Sequence, residues 1–262
     1  MRRIQAFEFG DLSWYPRNLR NYATDYLQFA SNTLDIYQCV ISILKKGIQS
    51  SDNNTMVDIG SGGGGGLLKI AGHLKKRIPF LKVVLSDYYP NIDAFKKTKS
   101  KQPGIFEYVE QPINAMNVPK HLKGFRTQFN SLHHFKPKDA KDILQNAIDN
   151  NQIIGIFEAQ QRDIKNIVRM LLSPIAVLLM TPFIRPFKVN RIIFTYLIPV
   201  LPLTTLWDGI ISVLRTYTVT ELKQMIFELK NNTCFDLEVD IAKGKQNAIL
   251  YLLGTPHLNP II

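Results

Sequence analysis

Hydrophobic positions recur at two different periods along this chain, and the change of period marks its elements. From Arg17 onward, Leu19, Tyr22, Tyr26 and Phe29, then Leu34, Tyr37, Ile41 and Leu44, fall at three- and four-residue steps. That spacing predicts helix over much of the first 52 residues. Between Thr55 and Glu158 short apolar runs alternate with amphipathic stretches, the pattern of a parallel sheet whose strands are joined by helices. Strands are expected near 55–59, 81–86, 105–109, 125–131 and 152–158, and helices near 65–77, 91–100 and 137–149. Pro137 suits the first turn of the last helix, where its missing N–H costs no hydrogen bond. Thr218 to Leu229 reads as a further helix. Phe235–Ile241 and Ala248–Leu253 read as two strands joined at Lys243-Gly244-Lys245.

The first strand carries the most chemistry at its end. Val57-Asp58-Ile59-Gly60-Ser61 runs into five consecutive glycines, Gly62 to Gly66, and then an amphipathic stretch from Leu67 to Lys76. Strand, glycine loop, helix begins a nucleotide-binding α/β unit, because backbone without side chains can approach a ligand and take up positive φ. Gly60, Gly62 and Gly65 satisfy G-x-G-x-x-G, and Gly60, Gly62 and Gly64 satisfy G-x-G-x-G. A glycine run matches either, so the neighbouring carboxylates discriminate. Asp58 would repel a pyrophosphate and attract an ammonium group. Asp87, closing the second strand, can accept hydrogen bonds from both hydroxyls of a ribose. A ligand with a ribose, an amine and no phosphate fits S-adenosylmethionine.

With V-D-I-G-S-G-G-G from Val57, L-S-D-Y-Y-P from Leu85 and F-N-S-L-H-H-F from Phe129, the chain resembles the class I S-adenosylmethionine-dependent methyltransferases over residues 53–160 and 216–255. The resemblance implies an α/β, Rossmann-like, doubly wound sheet: mostly parallel, seven-stranded, with an antiparallel closing strand and an N-terminal helical cap. The chain then divides into a cap or lid (1–52), a cofactor-binding core (53–160), an apolar helical insertion (161–215) and a closing helix and hairpin (216–262). By the same resemblance Asp58, Gly60, Ser61, Gly62 and Gly64 line the cofactor's methionine and ribose, and Asp87 holds the ribose, with Tyr88 beside it as an aromatic wall. Asn130 follows the fourth strand on the cofactor side. Near the adenine the family often has an acidic residue, where this chain reads Y-V-E-Q-P-I-N-A-M-N from Tyr108; Asn114 and Ala115 are expected there instead. Helices before the first strand often cover the cofactor in this family. The aromatic cluster Phe7, Phe9, Trp14 and Tyr15 is therefore either part of a lid or a cap on the core.

Composition narrows the setting. A chain of 262 residues that is 45% hydrophobic can bury a full core. Cys39 and Cys234 have no metal-like spacing and form no disulfide framework, which points to a reducing compartment. Met1-Arg2-Arg3 leads into Ile4–Glu8, which lacks the apolar core of a signal peptide, so the expected location is the cytoplasm or the cytoplasmic side of a membrane. Lys and Arg number 32 against 21 acids, a net charge of +11, partly clustered at Lys45-Lys46, Lys75-Lys76-Arg77 and Lys96-Lys97. Such clusters make a solvated basic face or attract anionic lipid or an acidic substrate. No nucleic-acid-binding motif accompanies them, so no nucleic-acid partner is expected.

Between Arg162 and Arg215 the composition turns apolar. Met170–Ile184 carries no charge in 15 residues and Ile192–Trp207 none in 16, with Arg185, Lys188 and Arg191 between them. Both runs are shorter than the roughly 18 residues of a membrane span, and Pro174, Pro182, Pro199 and Pro202 interrupt them. Three arrangements fit: an internal helix pair covering the sheet and walling an acceptor pocket, shallow contact with an anionic membrane surface through the cations, or a membrane hairpin. In the family, insertions at this place commonly shape the substrate site, which implies a hydrophobic small-molecule or lipid-like acceptor.

Methyl transfer from a sulfonium is an in-line displacement, and an oxygen or carbon acceptor also needs a base. His133 and His134, after the fourth strand, and Glu158, at the end of the fifth, lie on the carboxyl edge where open α/β sheets bind ligands. At most one of two consecutive histidines is expected to reach an acceptor; a structural role is the alternative. Trp207-Asp208-Gly209 is an acceptor contact or a turn. No metal-binding H-E-x-x-H or hydrolase elbow is present, and no metal is expected. Two other functions stay open at this point: a nicotinamide-dependent oxidoreductase, which Asp58 and the closing hairpin disfavour, and a non-catalytic S-adenosylmethionine-binding protein on a membrane.

Overall fold

The computed structural model describes residues 1–245 and 247–257. Its strands are β1 (Thr55–Ile59), β2 (Lys82–Ser86), β3 (Phe106–Tyr108), β4 (Phe125–Phe129), β5 (Ile154–Glu158), β6 (Phe235–Lys243) and β7 (Ala248–Pro256). Its α-helices are α1 (Arg17–Thr33), α2 (Ile41–Gln49), α3 (Leu67–Leu74), α4 (Ile92–Lys101), α5 (Pro137–Asp149), α6 (Ile164–Leu171), α7 (Ser173–Met180), α8 (Val189–Ile192), α9 (Val200–Arg215) and α10 (Val219–Phe227). The strands form one sheet in the order β3-β2-β1-β4-β5-β7-β6. The first five pair in parallel, and β7 runs antiparallel between β5 and β6.

Helices cover both faces, so the inner strands are buried on both sides; β5 reads as a mostly apolar run, whereas β4 buries the polar Arg126, Thr127 and Gln128. β5 is buried throughout. On β1, Met56 packs with Leu44, Ile70 and Phe95, while Val57 and Ile59 pack on the other face with Ile143, Leu144 and Leu222. Strand period therefore puts Asp58 on the Met56 side, toward the first helices. β4 stops at Phe129, short of residue 131, because Asn130 takes a φ of 49°. That conformation breaks the ladder, and asparagine tolerates it better than most residues do.

The insertion is not an internal helix pair covering the sheet. It forms α6 to α9 with a π-helical segment, Ile193–Leu197, before α9. Pro174 lies in the first turn of α7, and Pro199 caps α9. The inner side packs Val177, Ile184 and Leu201 against Tyr15, Leu19, Tyr22 and Tyr26 of α1 and the segment before it. Lys188 and Arg191 turn inward, where both donate to the Asp25 carboxylate at 2.8 Å; of the basic link only Arg185 is exposed. Trp207-Asp208-Gly209 lies within α9 and is not a turn. Among the described residues no single helix is long and apolar enough to cross a membrane, although two helix pairs bent by 41° and 76° pass together on length and composition.

Candidate active site

The carboxyl ends of the parallel strands gather the residues that the sequence singles out, in two groups. At the ends of β1 and β2, the N–H groups of Gly60 and Ser61 both donate to the Ser86 carbonyl at 2.9 Å. Ser86 Oγ and Ser61 Oγ donate to the Asp58 carbonyl at 2.8 and 3.1 Å. Asp87 Oδ2 accepts the Gly62 N–H at 2.7 Å, and Oδ1 accepts that of Tyr89 at 2.8 Å. The loop is therefore stitched to β2 through the carboxylate that the resemblance assigns to the ribose. Gly62 has φ +53°, and a Cβ there would meet nothing within 4 Å: the loop turns an open backbone surface outward.

Asp58 is 2% exposed, and Thr127 Oγ1 donates to it at 3.0 Å. Burial pushes its carboxyl up to about 7, against the lowering effect of Ser61 and Thr127. The 113–115 loop joins this group because the Ile113 N–H donates to the Asp87 carbonyl at 2.8 Å. Within it Ala115 is buried, while Asn114 is exposed and accepts the Met116 N–H at 3.0 Å. Tyr88 is exposed, edge-on to Tyr89.

At the ends of β4 and β5, Asn130 Oδ1 accepts the Ala159 N–H at 2.6 Å and fastens the two strands together. Beyond it the chain makes a 3-10 turn, Leu132–His134. His133, 1% exposed, places Nδ1 2.8 Å from Glu158 Oε2, and its backbone N–H donates to Glu158 Oε1 at 3.3 Å. A carboxylate on Nδ1 fixes the ring orientation and leaves Nε2 as the working nitrogen. Among the described residues Nε2 has no hydrogen-bond partner, and it stands 3.8 Å from Glu8 Oε1. Ser131 Oγ and Gln160 Nε2 on the same rim are also buried without partners. Orphaned buried polar atoms are rare in folded proteins. Ser131 Oγ, Gln160 Nε2 and His133 Nε2 are three of the buried polar atoms left without a partner among the described residues, and they gather at the ends of β4 and β5.

His134 has a different part. Its Nδ1 lies 2.8 Å from Asp11 Oδ1 and 3.8 Å from Glu8 Oε2. Burial opposes its charge, but Glu8 and Asp11 outweigh that and raise its pKa to about 9. His134 is thus a cation at neutral pH and no proton acceptor. Arg215 completes the cluster by donating to Glu8 at 3.0 Å and Asp11 at 2.6 Å. Burial would raise the Asp11 carboxyl, but hydrogen bonds from His134 and Arg215 hold it well below the usual range. Glu8, His133 and His134 bring potential metal-ligand atoms within 4.8 Å of one another. A guanidinium on Glu8 and a protonated His134 both oppose a cation there.

Several residues of the site lie outside those that the sequence points to. Gln28 Nε2 donates to the Gly63 carbonyl at 2.6 Å and to Thr98 Oγ1 at 3.0 Å. Asn32 Nδ2 donates to the Gly65 carbonyl at 2.7 Å, and its Oδ1 accepts the Lys69 N–H at 2.8 Å. α1 therefore clamps the glycine loop from outside. The signal was present: Thr24, Gln28 and Asn32 recur every four residues, a polar stripe on a helix otherwise read by its apolar side. Glu8, Asp11 and Arg215 had no such signal, because their partners are distant in sequence.

No family model matches the chain, and no curated protein matches it in sequence. Solved structures do match its fold. A plantazolicin methyltransferase, in complex with a monoazolic desmethyl plantazolicin analogue and S-adenosylhomocysteine, aligns over 92% of this chain and 98% of its own at 10% identity, with a TM-score of 0.51. The pyocyanin biosynthetic protein PhzM aligns over 86% of this chain at 12% identity and a TM-score of 0.51, this chain spanning 56% of that one. The fold is that of the class I methyltransferases. A Rhodobacter sphaeroides protein described provisionally as a zinc-dependent alcohol dehydrogenase also aligns, over 92% of this chain and 99% of its own, at 11% identity and a TM-score of 0.53. Identities this low speak for the fold alone.

Proposed function

We propose that this protein is a cytoplasmic S-adenosylmethionine-dependent methyltransferase acting on a hydrophobic small-molecule or lipid-like acceptor, with His133 as general base and Glu158 as its orienting partner. The observation that carries the reading is the placement of two half-sites on one rim. An open glycine loop buckled to Asp87 lies at the ends of β1 and β2, and a His–Glu dyad with a free Nε2 lies at the ends of β4 and β5. The residues present fit the cofactor: Gly62 presents bare backbone, and Asp87 offers a carboxylate for a ribose beside it. Bound there, S-adenosylmethionine would supply an electrophilic methyl group.

The chain's own part is to position the acceptor and to take its proton. With the cofactor bound, His133 Nε2 would take the proton of the acceptor, and Glu158 would stabilise the resulting imidazolium through Nδ1. Ser131 Oγ and Gln160 Nε2 offer hydrogen bonds that hold the acceptor. Against the oxidoreductase reading stands β7. The antiparallel β7 takes the place where a dinucleotide-binding sheet continues in parallel.

Transfer of a labelled methyl group into the apolar extract of the source cells tests the reading. The wild type should label solvent-extractable material, and His133→Ala should lower the rate by about a hundredfold or more, the range of a lost general base. Cofactor affinity should be unchanged in the variant. Failure of the wild type to label any apolar or polar acceptor removes the catalytic reading and leaves a cofactor-binding protein.

A further inference from the structure

The outer face of the insertion is apolar and has no partner among the described residues. Ile164, Val168, Leu171, Ile175 and Leu179 are all exposed and follow one another at three- and four-residue steps across α6 and α7. The 41° bend between the two helices leaves them close enough in direction for these positions to form a stripe. The break before α9 carries a second apolar projection, Tyr196 to Ile198, with Leu197 77% exposed. Isolated exposed leucines are ordinary, but a helical stripe facing water is not. Charge tells what covers it. From Ile164 to Trp207 the chain has five Lys or Arg and no Asp or Glu. Lys188 and Arg191 share the single carboxylate of Asp25, while Lys165, Arg169 and Arg185 remain exposed.

Two cations on α6 also line a cleft of about 280 Å³ shared with the β6–β7 hairpin, which adds Lys243 and Lys245. The one acid lining it, Asp163, is occupied in capping α6 through the Asn166 N–H at 2.7 Å. A groove of about 520 Å³ opens between α9 and the N-terminal segment, walled by Phe9, Trp14, Tyr15, Leu203 and Trp207. Its walls adjoin the candidate site through the chain: Glu8, next to Phe9, approaches His133, and Asp208, next to Trp207, accepts the Phe9 N–H at 2.7 Å. An apolar stripe beside a phosphate-sized basic cleft matches the two layers of a bilayer surface, acyl region and anionic headgroup.

We infer that the α6–α9 face docks peripherally on an anionic phospholipid bilayer, with lipid phosphate in the Lys165–Arg169–Lys243–Lys245 cleft and the aromatic groove open to the acyl layer. This deepens the methyltransferase reading by giving its acceptor a source, but the docking itself needs neither cofactor nor turnover. The test is flotation of the full chain with vesicles of phosphatidylcholine alone or mixed with phosphatidylglycerol, without cofactor. Trp14 and Trp207, the chain's only tryptophans, are 69% and 40% exposed in the groove, so their fluorescence reports insertion.

The expected result is binding to anionic vesicles that high salt weakens, with a blue shift and quenching by lipids brominated in the acyl chain. The exposed substitutions Leu179→Glu and Leu197→Glu together should lower the bound fraction by about tenfold or more. Lys165→Gln with Arg169→Gln should weaken anionic binding and leave the little binding to neutral vesicles unchanged. Both variants should melt as the wild type does. Three results would overturn the inference. One is a folded wild type that floats with neither vesicle. Another is binding that survives alkaline carbonate, which means a spanning hairpin. The third is a dimer by light scattering that Leu179→Glu and Leu197→Glu split without affecting vesicle binding, which assigns the face to a second copy of this chain. Loss of methyl transfer with docking intact would instead count against the function proposed above.

Discussion

Asp87 has two possible duties at the end of β2, and they can be separated. Its carboxylate holds the Gly62 N–H now, and its charge suits a ribose. Asp87→Ala should weaken S-adenosylmethionine binding by about tenfold or more, since each hydrogen bond to a charged group is worth roughly 1.5–3 kcal/mol. Asp87→Asn keeps an acceptor for Gly62 and should lose less; equal losses in both would assign the effect to charge alone. The two histidines divide in the same way. His133→Ala and Glu158→Gln should lower turnover at constant cofactor affinity. His134→Gln should act through the N-terminal segment, on protection from exchange more than on kcat at neutral pH. If His134→Gln proves the slower enzyme of the two histidine variants, the dyad is wrongly assigned. The positions of residues set by their own loop were legible in the sequence: Asp58, Asp87 and the glycines stand where a strand ends. Glu8, Asp11 and Arg215 were not, because a carboxylate near the chain start says nothing of a guanidinium 207 positions away.

The N-terminal segment, α1 and the insertion behave as one assembly laid over the rim. α1 holds the glycine loop through Gln28 and Asn32, and Asp208 of α9 holds the backbone of Phe9 and Gly10. His134, Asp11, Glu8 and Arg215 tie the segment to the turn after β4. This latch depends on pH with a definite sign. A histidine raised from 6.5 to about 9 by its carboxylates stabilises fully below pH 6.5, and the contribution is lost as pH rises through about 9. Hydrogen exchange over residues 5–15 should therefore quicken between pH 7 and pH 9.5 beyond the intrinsic rate, about in proportion to the lost protonation. The excess should be absent in His134→Gln; an identical pH profile in that variant would exclude the latch. Elements with a strict period were legible to within a few residues, as α5 and β1 illustrate. The insertion was legible only as apolar, because its prolines break the period and composition alone does not say which side faces water.

At the scale of the whole molecule, the antiparallel β7 between β5 and β6 is what separates this sheet from a dinucleotide-binding one, and the hairpin at Lys243–Lys245 announced it in the sequence. The sheet order brings the ends of β1 and β4 side by side, so the glycine loop and the His–Glu dyad lie at neighbouring strand ends of one rim. The inner side of the insertion covers α1, while its outer side, with the aromatic groove, faces away from the sheet core. The central claim is that this rim is built for S-adenosylmethionine, and titration calorimetry tests it most directly. S-adenosylhomocysteine and S-adenosylmethionine should each bind the wild type at one site per chain, with affinity reduced about tenfold or more in Asp87→Ala, and NAD should give no heat of binding. Saturable binding of NAD, with both adenosyl ligands silent, would contradict the account.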